Sequence, residues 1–116
     1  MLHELYLVEL TVTDWLASVA WYEALGLRLS LKDEKTRYAL LEAPRGRVAL
    51  KEGNAEPASA LIAFEVSDLG AEIKRLAEQG IVPEGQVKGG DEGYRRAIFR
   101  DPDGYRVSLF AWQKAD

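Results

Sequence analysis

Three carboxylates (Glu9, Glu52, Glu65), two cations (Lys51, Arg106), one hydroxyl (Ser108) and one imidazole (His3) are the side chains of this sequence whose types and spacing could do chemistry. Glu9 lies in an alternating run, 5–12, whose even positions Tyr6, Val8, Leu10 and Val12 are wholly apolar, so Leu5, Leu7, Glu9 and Thr11 share the other face of a strand. Glu65 shares a face with Leu61 and Ala63 in the run 61–66. A carboxylate on such a wall costs several kcal/mol unless it is paired, so each is matched by Lys51 or Arg106, reserved for a cationic ligand, or solvated. Nucleophilic catalysis has almost no candidates: cysteine is absent, and Ser108 has no second histidine or convincing lysine as its base. His3 reads as the solvent-facing start of a strand. Tyr38, Phe110 and Trp112 could offer aromatic faces to a planar or cationic guest, whereas Trp15, Trp21 and Tyr22 read as helix packing.

The elements that position these groups repeat. Val12-x-Asp14 recurs as Val66-x-Asp68 and Gly26-Leu27 as Gly80-Ile81, both at an offset of 54 residues. In each copy an apolar run meets an aspartate able to cap a helix, an eleven-residue helical stretch follows (15–25 and 69–79), and a glycine ends it. Leu69, Ile73, Leu76 and Ala77 form one stripe of the second helix. Strands are predicted over 27–31, 38–42 and 47–51 in the first copy and over 81–87, 94–100 and 105–110 in the second, so each module is β-α-β-β-β. Residues 1–52 and 60–112 are the modules of a single domain, 1–116, and 53–59 is the linker. Two copies cannot build a solenoid, which needs roughly three or more, so they are expected to pair with a groove between them. The stretch 85–93, with Gly89-Gly90, reads as a loop; no helix follows it, so it is a weak phosphate cradle. Asp101-Pro102-Asp103-Gly104 is a turn and not a calcium loop, because the sixth and twelfth positions counted from Asp101 are Arg106 and Trp112.

Composition excludes several classes. At 116 residues and 47% hydrophobic the chain can bury one core, and the lack of cysteine removes disulfides and thiolate metal sites. The formal charge is −4, with seven basic and eight acidic residues in 1–54 and eight basic and eleven acidic in 55–116. No basic block could neutralise a row of phosphates, so nucleic acid is not expected as a partner. No apolar run approaches the roughly eighteen residues a membrane span needs, and the chain is expected to be soluble and cytoplasmic.

The stretch from Val12 to Leu27, with Val12-Thr-Asp-Trp and Trp21-Tyr-Glu-Ala-Leu-Gly26, together with Phe99-Arg-Asp-Pro-Asp-Gly-Tyr-Arg-Val-Ser-Leu-Phe110, resembles the vicinal oxygen chelate superfamily of glyoxalase I, bleomycin-resistance, fosfomycin-resistance and extradiol dioxygenase proteins. The resemblance implies an α+β fold in which two βαβββ modules form a curved eight-stranded mixed sheet around a cleft, often completed by a second subunit. In its metal-binding members the ligand positions correspond to Leu7, Ala49, Leu61 and Ser108 of this chain. Leucine and alanine offer no donor, whereas a divalent ion wants about three or four nitrogen or oxygen atoms at roughly 2.0–2.2 Å. A site displaced to Glu9 and Glu65 would have to move by about 6.6 Å, two residues along a strand.

The expected cleft is lined by Leu7, Glu9, Thr11, Tyr38, Ala49, Lys51, Leu61, Ala63, Glu65, Arg106, Ser108 and Phe110, mainly apolar with a few charges, as small-molecule pockets are. The resemblance then implies a non-catalytic homodimer of the bleomycin-resistance kind, without metal or cofactor, that binds or sequesters a small, drug-like and cationic molecule. The alternative is a metal-dependent glyoxalase-type lyase, epoxide thiol transferase or dioxygenase using a displaced carboxylate site.

Overall fold

The computed structural model describes residues 1, 4–57, 60–89 and 93–113, so His3 and Gly90 fall outside the described residues. The chain divides into two compact units, Met1–Glu56 and Pro57–Asp116. Each unit has the order β-α-β-β-β.

In the first unit β1 (Val8–Val12), α1 (Trp15–Leu25), β2 (Arg28–Asp33), β3 (Tyr38–Ala43) and β4 (Gly46–Glu52) form a mixed sheet of order β1-β4-β3-β2, with β1 and β4 parallel and the other pairs antiparallel. Asp14 starts α1 by accepting the Ala17 amide at 3.1 Å, and Gly26, at φ 128°, ends it. Trp15, Ser18, Val19, Tyr22 and Leu25, at helical spacing, are buried together with Leu10, Val12, Ala39, Leu41, Val48 and Leu50, which the ladder places on one sheet face. Burying Val19 and Leu25 contributes about 1.5–3 kcal/mol each. The indole N–H of Trp15 is buried and meets no acceptor among the described residues, while the Lys32 ammonium and the Arg37 guanidinium lie 5.7 and 5.9 Å from its ring. The first strand begins three residues later than expected. Arg47 donates to the Tyr6 carbonyl at 3.1 Å and stacks over its ring at 4.5 Å, so a side chain holds this stretch where the ladder does not.

The second unit comprises β5 (Leu61–Glu65), α2 (Leu69–Ala77), β6 (Glu84–Gly89), β7 (Tyr94–Arg100) and β8 (Arg106–Trp112), in the order β5-β8-β7-β6 with β5 and β8 parallel. Asp68 accepts the Ala71 amide at 3.0 Å. The helix ends at Ala77, not Gln79, because the Ile81 amide turns back to the Leu76 carbonyl around Gly80, whose φ is 78°. Leu69 and Leu76 are buried and Ile73 is half-buried, but Ala77 is exposed and leaves the expected stripe. Strand β6 also departs from expectation. Pro83 has no amide for a ladder, and the register shifts between Glu84 and Lys88, so pairing starts at Glu84 and runs into the stretch expected as a loop. At the β7–β8 turn Asp101, buried, accepts the amides of Asp103 and Tyr105 at 2.9 Å each.

The two four-stranded mixed sheets, each with one helix, make the α+β arrangement expected. No helix among the described residues is long and apolar enough to cross a membrane.

Candidate functional site

Alternation along the second sheet sorts its residues into two faces. Ile62, Phe64, Ala97, Phe99, Val107 and Leu109 share the face covered by α2. The open face carries Leu61, Ala63 and Glu65 from β5, Arg106, Ser108, Phe110 and Trp112 from β8, Tyr94, Arg96, Ile98 and Arg100 from β7, and Glu84 and Lys88 from β6.

A cavity of about 250 Å³ opens on this face between Leu61, Ala63 and Ser108 on one side and Tyr94, Arg96, Phe110 and Trp112 on the other. Its wall is an aromatic corner. Tyr94 lies opposite Trp112 across the β7–β8 ladder, and Phe110 is two residues before Trp112 on the same side. The ring centroids are 6.0 Å apart for Tyr94–Phe110, 5.9 Å for Tyr94–Trp112 and 5.7 Å for Phe110–Trp112, and the planes cross at 73°, 83° and 89°. Three edge-to-face pairs brace one another and leave flat ring surface to a guest.

A second hollow of about 310 Å³ adjoins it and shares Arg96. Lys88, Arg100 and Arg106 line it, with Glu84 as its carboxylate. Glu84 is taken up by Arg100, whose guanidinium pairs with it and donates to the Gly104 carbonyl at 3.0 Å. The hydrogen bond from Arg100 holds the Glu84 carboxyl below its ordinary value; desolvation opposes this, and the charges of Arg100 and Arg106 add to it.

A larger hollow of about 460 Å³ lies at the start of α2, with Ile73 and Val87 among its walls. It lies against Asp68, whose carboxylate already caps the helix, so its one acid is spent on the fold.

A family model described as the Glyoxalase/Bleomycin resistance protein/Dioxygenase superfamily matches residues 5–109. The chain belongs to this superfamily. Solved structures show the same fold in an integron cassette protein from the mobile metagenome of the Halifax Harbour sewage outfall (TM-score 0.81, 24% identity, covering 95% of this chain and 99% of that one). They show it also in a glyoxalase/bleomycin resistance protein/dioxygenase from Nocardioides (0.75, 24%, 100% and 89%) and in a glyoxalase family protein from Enterococcus faecalis (0.79, 23%, 92% and 96%). No curated protein matches the chain significantly.

Membership in the glyoxalase superfamily raises the question of a metal, and the donor set does not fit one. Of the four positions Leu7, Ala49, Leu61 and Ser108 only the last has a donor atom, and Ser108 is a buried hydroxyl beside Ala63 and Ile98. Among the described residues no three His, Asp or Glu side chains converge.

The other expected site residues divide by unit. Leu7, Glu9, Tyr38, Ala49 and Lys51 belong to the first. Glu9 lies opposite Ala49 and Tyr38 opposite Lys51, on the sheet face turned from α1; Ala49 is fully buried and Glu9 and Lys51 are exposed. Leu61, Ala63, Ser108 and Phe110 line the 250 Å³ cavity. Glu65 and Arg106 do not meet: Arg106 lies opposite Leu61, four residues from Glu65 and roughly 13 Å away along the strand. Glu9 and Glu65 are both exposed, and no ion pair joins either to Lys51 or Arg106 among the described residues, so of the three alternatives pairing is not seen. Tyr94 and Arg96 were not among the expected site residues. Their signal was the alternation of β7, which places them on the face of Phe110 once the β7–β8 register is known.

Proposed function

We propose that this member of the glyoxalase superfamily binds and sequesters a small molecule, without a metal and without converting it, on the open face of its second sheet. The observation that carries this reading is the aromatic corner of Tyr94, Phe110 and Trp112 at the mouth of an apolar cavity, taken together with the leucine and alanine found in the sequence at the superfamily's metal positions. A cavity of about 250 Å³ has room for one or two fused rings and lies just under the usual range of small-ligand sites, about 300–1,000 Å³, which the adjoining hollow extends. The mode of action is that of the bleomycin-resistance branch, removal of a compound by holding it. The acidic residues expected to attract a cationic guest do not line this cavity; its one charged wall residue is Arg96. We also propose a homodimer, supported by the exposed Leu5, Tyr6 and Val8 at the edge of the first sheet.

The test is a thermal-shift panel of planar compounds, anionic, neutral and cationic, run with and without EDTA. At least one class is expected to raise Tm in a manner indifferent to the chelator and lost in Phe110→Ala. Stoichiometric nickel, zinc, iron or manganese in protein purified without chelator, or stabilisation abolished by EDTA, would overturn the reading.

A further inference from the structure

The two repeats share one backbone ladder, so each serves as the control for the other. In the first unit Leu40 pairs with Ala49 and, two steps along, Glu42 pairs with Arg47; in the second Ile98 pairs with Ser108 and Arg100 with Arg106. The first unit thus fills this cross-strand position with opposite charges, whose guanidinium and carboxylate lie 3.6 Å apart and whose carboxylate also meets Arg28 at 2.7 Å, while the second fills it with two arginines. One step outward Arg96 lies opposite Lys88, a second like-charge pair on the same face. Like charges directly across a ladder destabilise a sheet. Four cations therefore surround one carboxylate, Glu84, which Arg100 already engages, in a chain whose net charge is −4. A sheet that needed only solvated charges here had the first unit's solution available.

Arg96 ties this basic hollow to the aromatic corner, since it lines both and lies opposite Phe110. Resting on the sequestration reading, we infer that the guest is a planar aromatic anion, its ring against Phe110 and Trp112 and its oxyanion held by Arg96 with Lys88, directly opposite it on β6, while Arg106 adds positive charge at the far end of the same hollow. A guanidinium grips carboxylate or phosphate through paired N–H donors, and in the shelter of an aromatic wall such charge-assisted bonds gain strength.

The experiment uses four compounds on one ring system, 2-naphthoate, 2-naphthyl phosphate, 2-naphthamide and 2-naphthylmethylammonium, titrated into the full chain by calorimetry in low and high salt. At least one of the two anions binds ten-fold or more tighter than the amide, the advantage shrinks in high salt, and the ammonium binds weakest. The naphthoate and phosphate arms distinguish the two oxyanions. Arg96→Gln brings the anions down to the affinity of the amide, and Phe110→Ala weakens all four alike. Lys88→Gln is the second variant should Arg96→Gln fail to fold, and it reduces the same advantage. Equal binding of anions and amide overturns the inference and leaves sequestration standing; tightest binding of the ammonium overturns it in favour of a cationic guest; failure of all four overturns it outright, while the broader panel with EDTA still decides sequestration.

Discussion

If Tyr94, Phe110 and Trp112 form a wall built before any ligand arrives, their contacts must show in the stability of the empty protein. The perturbation is Phe110→Leu, which keeps an apolar side chain of similar reach and removes both edge-to-face contacts, to Tyr94 at 6.0 Å and Trp112 at 5.7 Å. Such ring pairs are worth about 0.5–1.5 kcal/mol each beyond the area they bury, so the loss should be about 1–3 kcal/mol. Phe110→Ala adds the truncation itself; full burial would make that about 3–5 kcal/mol, and because Phe110 is half-buried the expected figure is nearer the low end, about 3. Urea unfolding followed by circular dichroism measures both. A cycle of Phe110→Leu, Trp112→Leu and the double variant isolates the contact, with an expected coupling of about 0.5–1.5 kcal/mol. Coupling below about 0.3 kcal/mol, the level at which independent sites add, would refute a preformed corner and remove the physical basis for placing a guest there.

Two further outcomes follow from the second unit. Asp101 is buried and accepts two backbone amides at 2.9 Å, so Asp101→Ala should cost about 2–4 kcal/mol in urea unfolding, with Asp101→Asn recovering part of it; a loss under about 1 kcal/mol would mean the turn does not depend on that carboxylate. Glu84 has its carboxyl held below the ordinary value of 4.5 chiefly by Arg100, so the stability that this pair adds is full above 4.5 and is lost as pH falls through the lower folded-state value. Glu84→Gln should therefore lower the melting temperature slightly at neutral pH and not at pH well below 4.5, and an equal difference at both would contradict the assignment.

Much of the backbone was legible because local chemistry decides it. Asp14 and Asp68, with helical stretches after them and Gly26 and Gly80 beyond, specify two capped helices at an offset of 54, and the structure has both caps in the expected hydrogen bonds. The edges were less legible where a local signal competed with the ladder. The apolar run from Ile81 reads as a strand, but Pro83 cannot donate and the register shift after Glu84 moves the pairing outward. The site was harder still. Whether Glu65 meets Arg106 depends on a register that the alternation of 61–66 does not contain, and the parallel pairing of β5 and β8 sets the two apart by most of a strand. Conversely, nothing in the strand 94–100 marks Tyr94 and Arg96 as neighbours of Phe110 until the turn through Asp101 fixes which residues lie opposite.

That dependence on register explains why the two repeats can share a fold and diverge in use. A helix-facing residue such as Leu50 or Phe99 is constrained by packing on every side, and both units answer with apolar side chains. An exposed or half-buried residue on the other face, unlike the buried Ala49 and Ser108, is constrained mainly by its cross-strand neighbours and by whatever binds there. Where Glu42 meets Arg47 and Arg28, and where Arg100 meets Glu84, the charges answer one another within the sheet; Arg96 meets a like charge, Lys88, across the β6–β7 ladder, and the sheet alone gains nothing from that choice. The cost of such a pair is small enough for a stable domain to carry, and an anion bound beside it would reverse its sign, which is the ground on which an anionic guest is inferred.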